Sequence, residues 1–156
     1  MHETALLEQL TEDIGIAHQL LELIDEEFAA LGNRDLAGLE AILTKKQPLL
    51  ALLGQHGAQR SQWLAGQRLS PDRSGFEAAV HHLPNSEVIL EQTHLLESML
   101  KDCRSANERN GRLIRANQSA LGSTLRILQG ETDTLDLYDN RGGPAKTKQQ
   151  RPLSQA

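Results

Sequence analysis

Asn107-Glu108-Arg109-Asn110-Gly111-Arg112-Leu113-Ile114-Arg115-Ala116-Asn117 lies inside a run, Ser86 to Gln129, that contains no proline. Read as one helix, this run would extend about 66 Å at 1.5 Å per residue. That is too long for a compact domain of 156 residues, so it makes the chain a rod. One face of the rod carries Leu96, Leu100, Cys103, Asn107, Asn110, Ile114, Asn117, Leu121, Thr124 and Leu128, in steps of four and three. Such stepping keeps residues on one side of a helix. Polar side chains hold four of these ten positions, which is unusual for a face that is only core.

Upstream, Leu7, Leu10, Ile14, Ala17, Leu21, Ile24, Phe28 and Leu31 alternate steps of three and four, the pattern of a coiled-coil seam. A first helix is predicted over 3–31, ended by Gly32-Asn33. A second follows over 35–66, with Asp35 or Asn33 as its cap and Pro48 inside it. A proline there removes one donor and crowds the carbonyl of Thr44, which predicts a kink rather than two helices. The link between the two is so short that they must form an antiparallel hairpin. Residues 67–85 are a connector. Ser74-Gly75-Phe76-Glu77 has capping-box spacing, predicting a short helix over 75–82. The long helix then covers 86–129.

The expected fold is therefore all-α: an elongated antiparallel helical hairpin, a short connector helix and a long C-terminal helix, arranged up-down-up. Residues 1–130 form this helical domain. The tail, 131–156, holds few large apolar residues and is expected to be disordered in isolation.

Composition narrows the function. Aromatics are 3% of the chain, which suits helix packing better than β-sheet. No run approaches the ~18 apolar residues of a membrane span, and the N-terminus lacks a signal-peptide layout. The single Cys103 offers no internal disulfide, so a cytoplasmic protein is expected. Residues 1–40 hold ten acids and one base, while 41–130 hold eleven bases and seven acids. This asymmetry fits helices of opposite sign lying side by side, with Lys101, Arg104, Arg109, Arg112 and Arg115 facing the acidic first helix. It does not fit a nucleic-acid binder.

Chemical motifs are thin. Glu91-Gln92-Thr93-His94 has the spacing of a di-iron helix, but no second copy exists. His81-His82 suits the end of the short helix. His18 lies on a helix but lacks a phosphotransfer pattern. Cys103 falls on the apolar face as a small core residue. No cofactor, metal or catalytic constellation is expected. Asn107, Asn110 and Asn117 have two explanations: register-setting amides inside a helix pair, or amides meeting an incoming chain. Ala120, Leu121, Leu125, Ile127 and Leu128 would lack internal cover if the long helix stays straight, which marks a partner site. Tyr138, flanked by Leu135 and Leu137, has the look of a short docking motif.

Asn107-x-x-Asn110-Gly111-x-Leu113-Ile114-x-x-Asn117, followed by Tyr138-Asp139-x-x-Gly142, resembles the C-terminal signature of the FlgN family. The leading hairpin and Lys45-Lys46-Gln47 resemble it too, and the similarity covers about residues 5–143. The resemblance implies a cytoplasmic export chaperone of the bacterial flagellar type III secretion system. It would hold the amphipathic C-terminal segments of the hook–filament junction proteins FlgK and FlgL and deliver them to the export gate. Cargo would lie on Asn107, Asn110, Gly111, Leu113, Ile114, Asn117, Leu121, Leu125 and Leu128. Tyr138 and Asp139 would dock the gate protein FlhA. The competing explanations are a homodimeric coiled-coil adaptor, whose uncovered seam binds its own copy, and a histidine phosphotransfer bundle built on His18.

Overall fold

The computed structural model describes residues 1–129 and is all-α. Four helices follow one another: α1 (Glu3–Asn33), α2 (Leu36–Gly66), α3 (Arg73–Val80) and α4 (Ser86–Leu128). Contacts divide the chain into two units, Met1–Arg112 and the segment from Leu113 on.

In the first unit, contacts between helices reveal direction. Asp13 meets His56 and Gln9 meets Arg60, while Glu27 meets Lys46. As one number rises the other falls, so α1 and α2 are antiparallel. Ala17 meets Cys103, Ile24 meets Asn110 and Asp25 meets Arg109. Here both numbers rise, so α4 runs parallel to α1. The expected up-down-up order follows.

Helix α1 is buried over a wider face than a two-helix seam. Leu10, Ala17, Ile24 and Leu31 are buried as the heptad pattern requires, but so are Leu6, Asp13, Ile16, Leu20, Leu23 and Ala30. The reason is that α1 packs against two helices, so two adjacent stripes of it leave water. Phe28, expected in the seam, is 40% exposed. The guanidinium of Arg109 lies over its ring at 4.1 Å, a cation–π cover for a ring left at the edge.

The core has three parts. At the connector end, Leu6, Leu10, Leu64, Phe76, Val80, Ile89 and Leu96 pack together, with Trp63 edge-on to Phe76 at 6.3 Å between centroids. Ile16, Leu20, Ile24, Cys103 and Ala106 follow, then Leu23, Ala30 and Ile42 near the hairpin turn. Between α1 and α2 runs a polar cluster that heptad spacing did not indicate. Asp13 is fully buried, 2.6 Å from Nδ1 of His56 and 2.8 Å from Arg60. Arg60 also donates to Gln9 at 2.7 Å, and Gln9 to Gln59 at 2.7 Å.

The helix ends differ from expectation in two places. α1 runs through Gly32, and the left-handed residue that stops it is Arg34, φ 54° and ψ 40°. The N–H groups of Arg34 and Asp35 close back on the carbonyls of Leu31 and Ala30, and the αL backbone costs a non-glycine residue about 1 kcal/mol. Asp35 caps α2 by accepting from Gly38 N–H at 2.9 Å, and α2 remains one element through Pro48.

For α3 the cap is Asp72 rather than Ser74, so the helix is Arg73–Val80 instead of 75–82. Asp72 accepts from Gly75 N–H at 2.9 Å and from the Ser70 hydroxyl at 2.8 Å. A carboxylate at a helix N-terminus also meets the positive end of the dipole, an advantage the Ser74 hydroxyl lacks. The Gly75 N–H, and then the Ser70 hydroxyl, hold the Asp72 carboxyl below its ordinary range.

Gly75 is required by this turn. A Cβ there would sit 2.0 Å from the Ser70 carbonyl oxygen. Gly75→Ala is expected to lower stability by about 1–3 kcal/mol, the usual cost of overpacking, read as a shifted denaturant midpoint. An unchanged midpoint would refute the close approach.

Candidate partner-binding surface

α4 changes character along its length. Its buried residues are Ile89, Leu96, Cys103, Ala106 and Asn110. Beyond Asn110, no described residue of the helix is buried, although the apolar spacing continues.

Asn110 is 2% exposed. Its amide donates to the Ile24 carbonyl at 2.8 Å and to Glu27 Oε1 at 2.9 Å, and its own oxygen accepts from Arg109 at 3.1 Å. Arg109 also pairs with Asp25 at 3.0 Å. Of the two explanations for the asparagines, register setting therefore describes Asn110. Its expected cargo role is corrected, because the amide is occupied by the chain's own α1. Asn107 is exposed and Gly111 half-buried in the same unit.

The second unit begins at Leu113. Leu113 and Asn117 are half-buried. Ile114 is 39%, Leu121 61%, Leu125 48%, and Ile127 and Leu128 each 75% exposed. Ile114, Leu121, Leu125 and Leu128 fall on one face of the helix by their spacing of seven, four and three. Polar side chains here turn onto their own helix: Thr124 donates to the Ala120 carbonyl at 3.0 Å and Arg126 to the Ser123 hydroxyl at 3.2 Å. The stretch is held helical by its leucine, alanine, arginine and glutamine content and by continuity with the anchored part of α4. An isolated helix this short would be marginal. Tyr138 and Asp139 lie outside the described residues, as does the expected disordered tail.

Elsewhere the structure offers little chemistry. A groove of about 290 Å³ is lined by Leu10, Leu64, Phe76, Leu96 and Leu100. Its rim is self-compensated: Arg73 binds Glu77 at 2.9 Å and Glu97 at 3.1 Å, and also touches His94. Cys103 donates to the Ala17 carbonyl at 3.4 Å. Burial, then the nearby Asp102 and Asp25, push its thiol pKa up, the wrong direction for a nucleophile. His18 is exposed beside Glu22. Among the described residues no group of three His, Cys, Asp or Glu side chains is placed to hold a metal ion, and no helix is long and apolar enough to cross a membrane.

The spacing argument missed the arginines that border the exposed face. Arg115 belongs to the basic strip expected to face α1, and Arg126 lies outside that strip. Of that strip, Arg109 is the member that reaches an α1 carboxylate.

Comparison with known proteins gives a consistent picture. A family model described as FlgN protein matches residues 1–146. A crystal structure described as that of a flagella synthesis protein FlgN from Pseudomonas aeruginosa is similar to this chain. The two are 40% identical with a TM-score of 0.68, over 82% of this chain and 98% of that one. No curated protein matches.

The Asn110 geometry has a direct test. Asn110→Ala removes one donor each from the Ile24 carbonyl and Glu27, and is expected to cost about 1–3 kcal/mol in chemical denaturation. No loss of stability would show that the amide is not what holds α4 to α1.

Proposed function

The chain belongs to the FlgN family and has a flagellum-related role; from that premise we propose that it is a cytoplasmic export chaperone for hook–filament junction proteins of the FlgK and FlgL type. It holds their amphipathic C-terminal segments, keeps them from assembling early and delivers them to the type III export gate. The observation that carries this reading is the face formed by Ile114, Leu121, Leu125 and Leu128, apolar, helical and exposed.

Such a task needs no catalytic group. It needs a helix whose apolar stripe an incoming amphipathic segment completes, by the helix-in-groove mode of recognition. The same cover hides the cargo's own apolar face. Removing water from several leucine and isoleucine side chains supplies several kcal/mol, at about 25 cal/mol per Å² before ordering costs. Leu113 and Asn117, half-buried, would flank the cargo. Asn107 and Gly111 belong to the expected cargo set as well, and Asn110 does not. Docking to the gate protein FlhA is assigned to Tyr138 and Asp139, on the resemblance alone.

Leu121→Asp or Ile114→Asp is expected to abolish binding of a FlgK or FlgL C-terminal segment in calorimetric titration while helicity by circular dichroism is unchanged. Retained affinity would remove the site. Sedimentation of the chain with and without that segment separates a cargo-binding face from one that binds a second copy. Tyr138→Ala is expected to spare cargo affinity and weaken capture by the soluble part of FlhA, and loss of cargo binding instead would give the tail a different role.

A further inference from the structure

The charges that border the exposed face of α4 are of one sign and on one side. From Arg109 to Gln129 the chain has arginines but no aspartate or glutamate. Within the second unit the charged residues described are Arg115 and Arg126. They stand eleven residues apart, about three helical turns, so both fall on the same flank of the Ile114–Leu121–Leu125–Leu128 face. Both are exposed, and neither has a carboxylate partner among the described residues. The opposite flank, Leu113, Ala120, Thr124 and Ile127, carries no charge.

We infer that this face selects an amphipathic helical segment whose apolar stripe is bordered, on one side, by carboxylates that meet Arg115 and Arg126. This rests on the function proposed above and adds the chemical class of the bound segment. The charge distribution argues against a second copy as occupant. In an antiparallel pair of identical helices, like flanks meet, which brings Arg115 and Arg126 against arginines of the other copy. In a parallel pair the arginine flank meets the uncharged one and gains nothing. An acidic flank gains in either direction, and also speeds encounter at low ionic strength. A basic flank is rejected by the same charges.

Two synthetic amphipathic peptides with one leucine face, bordered by glutamates in one and lysines in the other, are titrated against the full chain at low and high salt. The glutamate peptide is expected to bind about tenfold more tightly at low salt, with the margin shrinking as salt rises. Arg115→Glu with Arg126→Glu should invert the order, and Arg115→Gln with Arg126→Gln should erase it, each with unchanged circular dichroism.

Equal affinities for the unaltered chain at low salt overturn the inference. The proposed site then survives if Leu121→Asp still weakens both peptides. If Leu121→Asp affects neither peptide, the site itself is lost and the inference with it. The segment 131–139 of this chain is acidic as well. The full chain carrying Glu131→Gln, Asp133→Asn, Asp136→Asn and Asp139→Asn together is therefore a further control. If it binds the glutamate peptide about tenfold more tightly than the unaltered chain, the natural occupant is the chain's own tail, which also overturns the inference.

Discussion

A carboxylate removed from water needs partners, and Asp13 is fully buried. Its partners, His56 and Arg60, come from the next turns of α2, and Gln9 and Gln59 complete the cluster. Breaking such a set leaves an uncompensated buried charge, which costs far more than the intact set contributes. The cluster therefore acts on register. A slide of α2 along α1 by one turn would put Leu52 in the place of His56 in one direction, or Leu64 in the place of Arg60 in the other, so that Asp13 loses one partner to an apolar side chain. The leucine, isoleucine and alanine side chains around it are interchangeable enough to tolerate slippage; the carboxylate is not. Once this register holds, Lys46 falls beside Glu27 and the hairpin turn beside Ile42.

Asn110 does the same for α4. Its amide ties α4 to a backbone carbonyl of α1, and the Arg109–Asp25 pair beside it points the same way. Alongside, Glu27 takes both Asn110 and Lys46, so one carboxylate links α1 to α2 and α4. Polar contacts here set alignment while the flanking core clusters supply most of the stabilisation, since exposed and half-exposed ion pairs contribute little.

The long-range plan was legible in the sequence because it depends on period and punctuation. The absence of proline from Ser86 to Gln129, the short link at Arg34-Asp35 and the heptad steps of α1 each report a local rule. What was not legible depended on competition between neighbours. Ser74 and Asp72 could both cap α3, and the carboxylate prevails through its second bond from Ser70. Gly32 could end α1, yet the chain runs on to Arg34. A seam of about one residue per turn describes two helices, so the second buried stripe of α1, Leu6 to Ala30, carries no signal in that spacing. Asp13 carries no signal of its own, because it is one of many acids on an acidic helix. Its partners, His56 and Arg60, are spaced four apart on the same face of a helix that has no other titratable residue between Gln47 and Gln67, which is the one hint the sequence held. For the candidate surface, the exposed apolar positions followed from spacing, but the division of labour among the three asparagines did not. Of the three, Asn110 is the one whose amide reaches a backbone carbonyl of α1.

A preformed helix with a vacant apolar side is costly to keep unless it lowers a later cost. Ordering a flexible segment on binding subtracts several kcal/mol from the gross interaction, and this penalty grows when both partners must fold. Here the anchored half of α4 supplies the helix nucleus, the expensive step, so residues from Leu113 to Leu128 are already ordered before a partner arrives. Under the function proposed above, the incoming segment alone would lose conformational entropy. In the proposed complex the segment's own ordering cost is returned when it leaves, which favours release of the cargo. The delivery role proposed above calls for such release, and a permanently paired coiled coil does not.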